Sequence, residues 1–231
     1  MAKFSLGTFV SEAIRTVLGS RYPKLNTLYN FCSWKHEILD NVGDAKVFEF
    51  YPYEKREILY SWLNTEVIAN KPIDFVEFGS WKGESIEKWR NINQNKESRF
   101  FGFDSFEGLP EDYDGQEAKF FDVDGLTPKI DDDRVKFIKG WFTDTVPGFV
   151  KTFEVKNQLV LHMDADLYSS TLFILIILNS FIEKGTIIIF DEFAHIEHEF
   201  PAFREYLRVC DKKWKLLCSR SDFGKLAVEI I

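Results

Sequence analysis

This sequence is short of cysteine, of positive charge and of long apolar runs, and each shortage removes a class of protein. Cys32, Cys210 and Cys218 are an odd number without CxxC or Cys/His ligand spacing. Neither a disulfide framework nor a structural zinc site is indicated, and the three read as reduced thiols packed as small apolar groups. Lys and Arg number 29 against 37 Asp and Glu, a formal charge of −8, which repels a phosphate backbone and speaks against nucleic acid as a partner. The longest apolar run, Leu172 to Leu178 continued to Ile182, falls well short of the roughly 20 residues that cross a bilayer and reads as a buried helix. The start, Met1-Ala2-Lys3-Phe4-Ser5, lacks the charged and apolar regions of a secretory signal. A soluble, cytoplasmic protein with no membrane partner is the expectation. No internal repeat, low-complexity tract or Pro/Gly/Ser-rich linker divides the chain.

What is present is enough for one core. The 231 residues are 45% hydrophobic and 16% aromatic, a length that fits one domain with short additions. A compositional shift falls near Lys71-Pro72. Before it, stretches such as Tyr53 to Leu63 place apolar side chains at about i, i+3, i+4, so residues 1–70 are expected to be a helical N-terminal extension. Its first 50 residues have no core of their own and are expected to fold over a cofactor cleft or to make a homodimer contact. After the shift, over 71–231, short apolar strands alternate with helical stretches, the pattern of βαβ units and a mostly parallel α/β sheet. The candidate strands are Asp74–Phe78, Arg99–Phe103, Val135–Ile138, Leu159–Met163 and Thr186–Phe190. Trp214–Cys218 and Lys225–Ile230 are expected to close the sheet edge as an antiparallel hairpin.

Most of these strands run directly into an acidic residue or a glycine turn, and in open α/β sheets ligands collect at the carboxyl ends of the strands. The first such turn, Glu77-Phe78-Gly79-Ser80-Trp81-Lys82-Gly83-Glu84-Ser85, leads into a helix expected to begin near Ser85. Its glycines allow close backbone approach to a ligand, although a plain strand-to-helix loop has the same look. It is neither the GxGxxG of dinucleotide enzymes nor a phosphate-binding loop ending in Lys-Ser/Thr. Asp104, at the end of the next strand and about 20 residues on, stands where an adenosine ribose needs a carboxylate acceptor. Together they favour a nucleoside-containing cofactor over a plain loop. A third constellation, His162-Met163-Asp164-Ala165-Asp166-Leu167-Tyr168 followed by Phe190-Asp191-Glu192-Phe193, puts hard oxygen ligands at neighbouring strand ends. That suits Mg²⁺ or a similar divalent cation, and helix capping by Asp166 and Asp191 is the competing explanation.

Several stretches, taken in order, resemble the macrocin O-methyltransferase (TylF-type) family of sugar and natural-product methyltransferases. They are Val76 to Gly83, Asp104-Ser105-Phe106-Glu107-Gly108-Leu109-Pro110, Lys139 to Pro147, Leu161 to Thr171 and Phe200 to Arg204. The resemblance implies a Rossmann-like fold binding S-adenosylmethionine (SAM). Glu77, Gly79, Ser80, Trp81, Gly83 and Ser85 would wrap its methionine end, Asp104 would hold the ribose, and Ser105, Phe106, Gly140 and Trp141 would lie near the adenosine. By the same likeness Asp164, Asp191 and Glu192 would hold the metal, Glu192 departing from the aspartate usual in the family.

The implied activity is methyl transfer to a hydroxyl of a small-molecule acceptor: a sugar, a glycoside or a sugar nucleotide. A metal ion lowers the pKa of a coordinated hydroxyl and leaves Asp164 to receive the proton, with His195 in reserve as a general base. His162 reads as a satisfied core histidine. A nicotinamide-dependent oxidoreductase shares the sheet and Asp104 but requires the missing GxGxxG. A non-catalytic SAM-binding relative, acting as an interaction module in carbohydrate modification, is opposed by the intact acids at 164, 191 and 192.

Overall fold

The computed structural model describes residues 36, 38, 40, 41, 43–49, 55–113, 115, 117–195 and 197–231. Most of the segment expected to cover the cleft or to make a dimer contact lies outside them. Among the described residues eight strands form one sheet: β1 (Lys46–Phe48), β2 (Ile73–Phe78), β3 (Arg99–Asp104), β4 (Val135–Lys139), β5 (Gln158–Met163), β6 (Ile187–Phe190), β7 (Trp214–Arg220) and β8 (Leu226–Ile230), in the order β1-β7-β8-β6-β5-β2-β3-β4. Only β8 runs antiparallel, to both β6 and β7. This is the mostly parallel sheet with a C-terminal hairpin that a Rossmann-like α/β fold requires. The seven strands expected from the sequence stand where they were expected, while β1, inside the segment read as helical, adds a parallel edge strand beside β7. A three-residue strand carries too little periodicity to be read from a sequence; only pairing with residues 218–220 makes it one.

The central strands are apolar because both of their faces are covered. All six residues of β2 and all four of β6 are buried, as parallel strands packed between helical layers demand. Alternation divides the side chains into two cores. On one face Phe75, Phe100, Val160 and Ile189 meet Leu59 and Tyr60 of α1 (Glu57–Trp62) and Ile86 and Trp89 of α2 (Glu84–Ile92). On the other, Phe78, Phe103, Met163 and Phe190 meet Val146 of α3 (Phe142–Val150), Ile174 and Leu175 of α4 (Tyr168–Ile177) and Phe203 of α5 (Glu199–Cys210). The apolar run read as a buried helix belongs to α4 only as far as Ile177; its continuation to Ile182 is not helical, and Ile176 is exposed. None of the helices is long and apolar enough to cross a membrane, among the described residues.

One buried charge ties the amino ends of three strands. The Asp74 carboxylate accepts from Arg99 Nε and Nη2 (2.8 and 2.6 Å), from the backbone amides of Lys156 and Asn157 (2.7 and 3.1 Å) and from Asn157 Nδ2 (3.0 Å). Burial opposes its charge, but these bonds hold the carboxyl below its usual range. A carboxyl whose pKa is depressed by folding contributes stability that is present above its unfolded value of about 3.9 and lost as pH falls through the folded value. Asp74→Ala is therefore expected to cost about 3 kcal/mol in urea denaturation near neutral pH, since it strands the Arg99 guanidinium. The gap from the wild type is expected to shrink below about pH 4.

Candidate active site

Parallel register sets the carboxyl ends of the middle strands side by side. Phe78 pairs with Phe103 and with Met163, and Met163 pairs with Phe190. One further hydrogen bond carries each ladder into the loops: Gly79 N to Phe103 O (2.9 Å), Asp164 N to Phe78 O (2.9 Å) and Asp191 N to Met163 O (3.0 Å). The acids that follow the strands are thus fixed by sheet geometry. Just beyond, Trp81, Phe106 and Asp166 have φ of 42°, 59° and 57°, a left-handed conformation that side chains resist and that collects where loops are shaped for a ligand.

Between these loops lies a cavity of about 510 Å³. Of the residues expected at the site, Glu77, Gly79, Ser80, Trp81, Ser85, Asp104, Ser105, Trp141, Asp164 and Glu192 line it. Gly83, Phe106, Gly140, Asp191 and His195 are not among its lining residues. The first three act from behind. Gly83 closes the turn through its amide to Ser80 O (2.6 Å) and starts α2, Gly140 N donates to Asp104 O (2.9 Å), and Phe106 is wholly buried. His195 sits one ring away, its imidazole 5.3 Å from the ring of Tyr113, whose hydroxyl donates to Glu192 Oε2 at 2.6 Å.

Asp104 is oriented by the loops around it. Trp81 N donates to its Oδ2 (2.8 Å) and Phe106 N to its Oδ1 (2.6 Å), so the carboxylate is locked while each oxygen keeps a second lone pair. That is the acceptor pair a ribose diol requires. The glycine turn reaches the same point through sterics: at Gly79 φ is +95°, and a Cβ there would fall on the carbonyl oxygen of Asp164. The Gly79 loop and the loop carrying Asp164 pack with no room for a side chain between them.

The cavity is rich in negative charge. Burial raises the pKa of Asp164. Burial, then the neighbouring charges of Asp164, Glu192 and Asp104, push Asp166 up to about 8, and burial takes Glu77 up to about 7. Such shifts, dominated by burial, mark a candidate functional site. His162 is fully buried and pulled down to about 3 by that burial. Its Nδ1 lies 2.8 Å from Glu77 Oε1 and its Nε2 3.3 Å from the Tyr60 hydroxyl, the satisfied core histidine that was expected.

Asp164, Asp166 and Glu192 line the cavity, and their hard carboxylate oxygens are of the kind Mg²⁺ takes one or two of, with water completing its shell. Asp191 is placed differently: it is 1% exposed and its Oδ1 is paired with the ammonium of Lys225. Glu77, His162 and Asp164 also offer ligand atoms within 4.8 Å of one another, but both nitrogens of His162 are already engaged. Three site residues escaped the sequence reading. Arg56 lines the cavity from the N-terminal segment, 3.4 Å from Glu84. Asp166 lines it too, although it had been read only as one acid of a cluster. Lys225 left a visible signal, a lysine directly before the apolar run Leu226-Ala227-Val228.

Comparison with known proteins agrees with this picture. A model of the macrocin-O-methyltransferase (TylF) family matches residues 121–212. A curated relative from Streptomyces olivaceus, 8-demethyl-8-(2,3-dimethoxy-alpha-L-rhamnosyl)-tetracenomycin-C 4'-O-methyltransferase, is 31% identical over 57% of this chain and 57% of its own length. The demethyldecarbamoylnovobiocin O-methyltransferase of Streptomyces niveus is 30% identical over 55% of this chain and 56% of its own. The chain thus spans little more than half the length of these relatives. Among solved structures, the O-methyltransferase NovP superposes with a TM-score of 0.58 at 25% identity, covering 76% of this chain and 79% of that one.

The contact between the two loops is directly testable. Gly79→Ala is expected to destabilise the protein by more than about 2 kcal/mol in chemical denaturation, because the side chain meets both a left-handed backbone and a fixed carbonyl. A loss below about 0.5 kcal/mol would show that the two loops are not packed this closely.

Proposed function

We propose that this chain, part of which matches the macrocin-O-methyltransferase (TylF) family, transfers a methyl group from SAM to a hydroxyl of a sugar or natural-product acceptor with help from a divalent cation. The observation that carries this reading is the pairing of an amide-locked Asp104 with the carboxylates of Asp164, Asp166 and Glu192 in one cavity. A ribose anchor alone would suit any nucleoside. A ribose anchor facing an electron-rich pocket suits a sulfonium and a metal ion together.

SAM would supply an electrophilic methyl group, and a divalent cation would supply Lewis acidity that makes the acceptor hydroxyl more acidic. The chain's own residues do the rest. Asp104 takes the ribose hydroxyls on the free lone pairs of its two oxygens. The backbone from Gly79 to Trp81 and the Ser80 and Ser85 side chains border the methionine end. Asp164 and Glu192 would hold the cation. Asp166, on the same short loop as Asp164 and also lining the cavity, would receive the acceptor's proton on a carboxylate oxygen in place of Asp164. Phe121, Trp141 and Phe142 give the cavity aromatic walls that exclude water and favour a flat or glycosylated acceptor. The two curated relatives, whose names describe methylation of a rhamnosyl-tetracenomycin and of a novobiocin precursor, support an acceptor of that kind.

Calorimetry and methyl-transfer assays test the reading at separate points. Asp104→Ala is expected to weaken SAM binding by about 1.5–3 kcal/mol, the range for hydrogen bonds to a charged group; unchanged affinity would remove the ribose assignment. EDTA is expected to abolish transfer to glycoside and sugar-nucleotide acceptors while SAM binding largely survives, because a catalytic ion, unlike a structural one, leaves folding intact. Asp164→Asn is expected to mimic chelation, whereas Asp166→Asn is expected to retain metal and lower kcat by about a hundredfold or more. Full turnover in EDTA, with metal content verified, would end the metal mechanism.

A further inference from the structure

A fully buried lysine is uncommon because its ammonium loses its water, and Lys225 is 0% exposed. Its place is set by the sheet. Phe190 pairs with Leu226 across β6 and β8, and one step beyond that pair Asp191 and Lys225 face each other. Backbone bonds fix both sides, Phe193 N to Gly224 O (2.6 Å) and Arg220 N to Lys225 O (2.8 Å). The ammonium reaches Asp191 Oδ1, which also lies 3.4 Å from His162 Nε2 and 3.8 Å from Arg56 Nη1. Asp191 thus has three nitrogen-bearing side chains around one oxygen and is 1% exposed, while its neighbour Glu192 turns to the cavity.

We propose that Lys225 is an internal counter-cation which claims Asp191, so that a divalent ion in this protein is held by the cavity-facing carboxylates without Asp191 as a ligand. The inference refines the metal site proposed above. The ion pair then joins the end of β6 to β8. The strand-end acid that the sequence offers as a metal ligand has already been given a charge from within the chain. Of the acids at the two strand ends, those left to an ion are the ones that line the cavity.

Two measurements separate this inference from the metal reading on which it builds. The first needs no metal: thermal unfolding in EDTA of Asp191→Asn, Lys225→Met and the double variant. Each single change leaves one buried partner stranded and is expected to lower Tm by about 10 °C, whereas removing both is expected to return Tm to within about 3 °C of the wild type. Additive losses would overturn the pair. The second is Mn²⁺ binding followed by electron paramagnetic resonance. The double variant is expected to bind Mn²⁺ within about threefold of the wild type, Lys225→Met alone more tightly, and Asp164→Asn at least about tenfold more weakly. A tenfold loss in the double variant would make Asp191 a ligand and overturn the proposal. If the single variants do not fold, a crystal of the Mn²⁺-loaded wild type decides instead, by showing Asp191 either on Lys225 or on the ion. Absence of Mn²⁺ binding in every variant would defeat the metal site, while the unfolding cycle still decides the ion pair.

Discussion

A carboxylate taken out of water must meet a positive charge or surrender its own, and this fold removes several from water along one edge of one sheet. Glu77, Asp164, Asp166 and Asp191 follow or end strands whose register is fixed by backbone bonds, so they cannot move apart to relieve their repulsion. The molecule answers in two ways. On the side of the cavity it leaves Asp164 and Asp166 with pKa values lifted chiefly by burial. On the side of the β6–β8 pairing it supplies Lys225.

That division explains why the site is both rigid and receptive. The ladder continues one bond past the strands, and the left-handed residues Trp81, Phe106 and Asp166 turn the chain sharply. The loops therefore hold their geometry before a ligand arrives, which lowers the ordering cost of binding. Asp104 shows the same principle in miniature. Two backbone amides orient its carboxylate, so no side-chain rotamer must be selected when a ribose is bound. Gly79 is the steric counterpart, since the approach of its loop to Asp164 leaves no space for a Cβ.

The two-faced sheet supports this edge mechanically. Aromatic packing on both sides, with Trp89 and Tyr60 on one and Phe103, Phe190 and Phe203 on the other, accounts for much of the aromatic surplus. The same residues that fill the core keep water from the backs of the site loops. The cluster of Glu77, His162 and Tyr60 lies on the inner side of that wall, which is why a histidine one strand from the cavity serves packing and hydrogen bonding.

What the sequence by itself determined was local: strand identity from apolar runs, the glycine turn, the acids at strand ends, and Asp104 at the distance a ribose carboxylate needs. These features are written in short windows because alternation, turn chemistry and strand-end position all act within a few residues. Tertiary structure decided which acids face the cavity and which do not. Asp191 and Glu192 are adjacent in the chain, yet one turns to Lys225 and the other lines the cavity, and nothing in a window around them distinguishes the two. The partner that claims Asp191 comes from a strand paired through the C-terminal hairpin, and Arg56 reaches the site from the other end of the chain. Strand β1 likewise exists only because residues 218–220 lie beside it. Charge compensation inside a protein is a property of distance in space, and only the folded chain sets those distances.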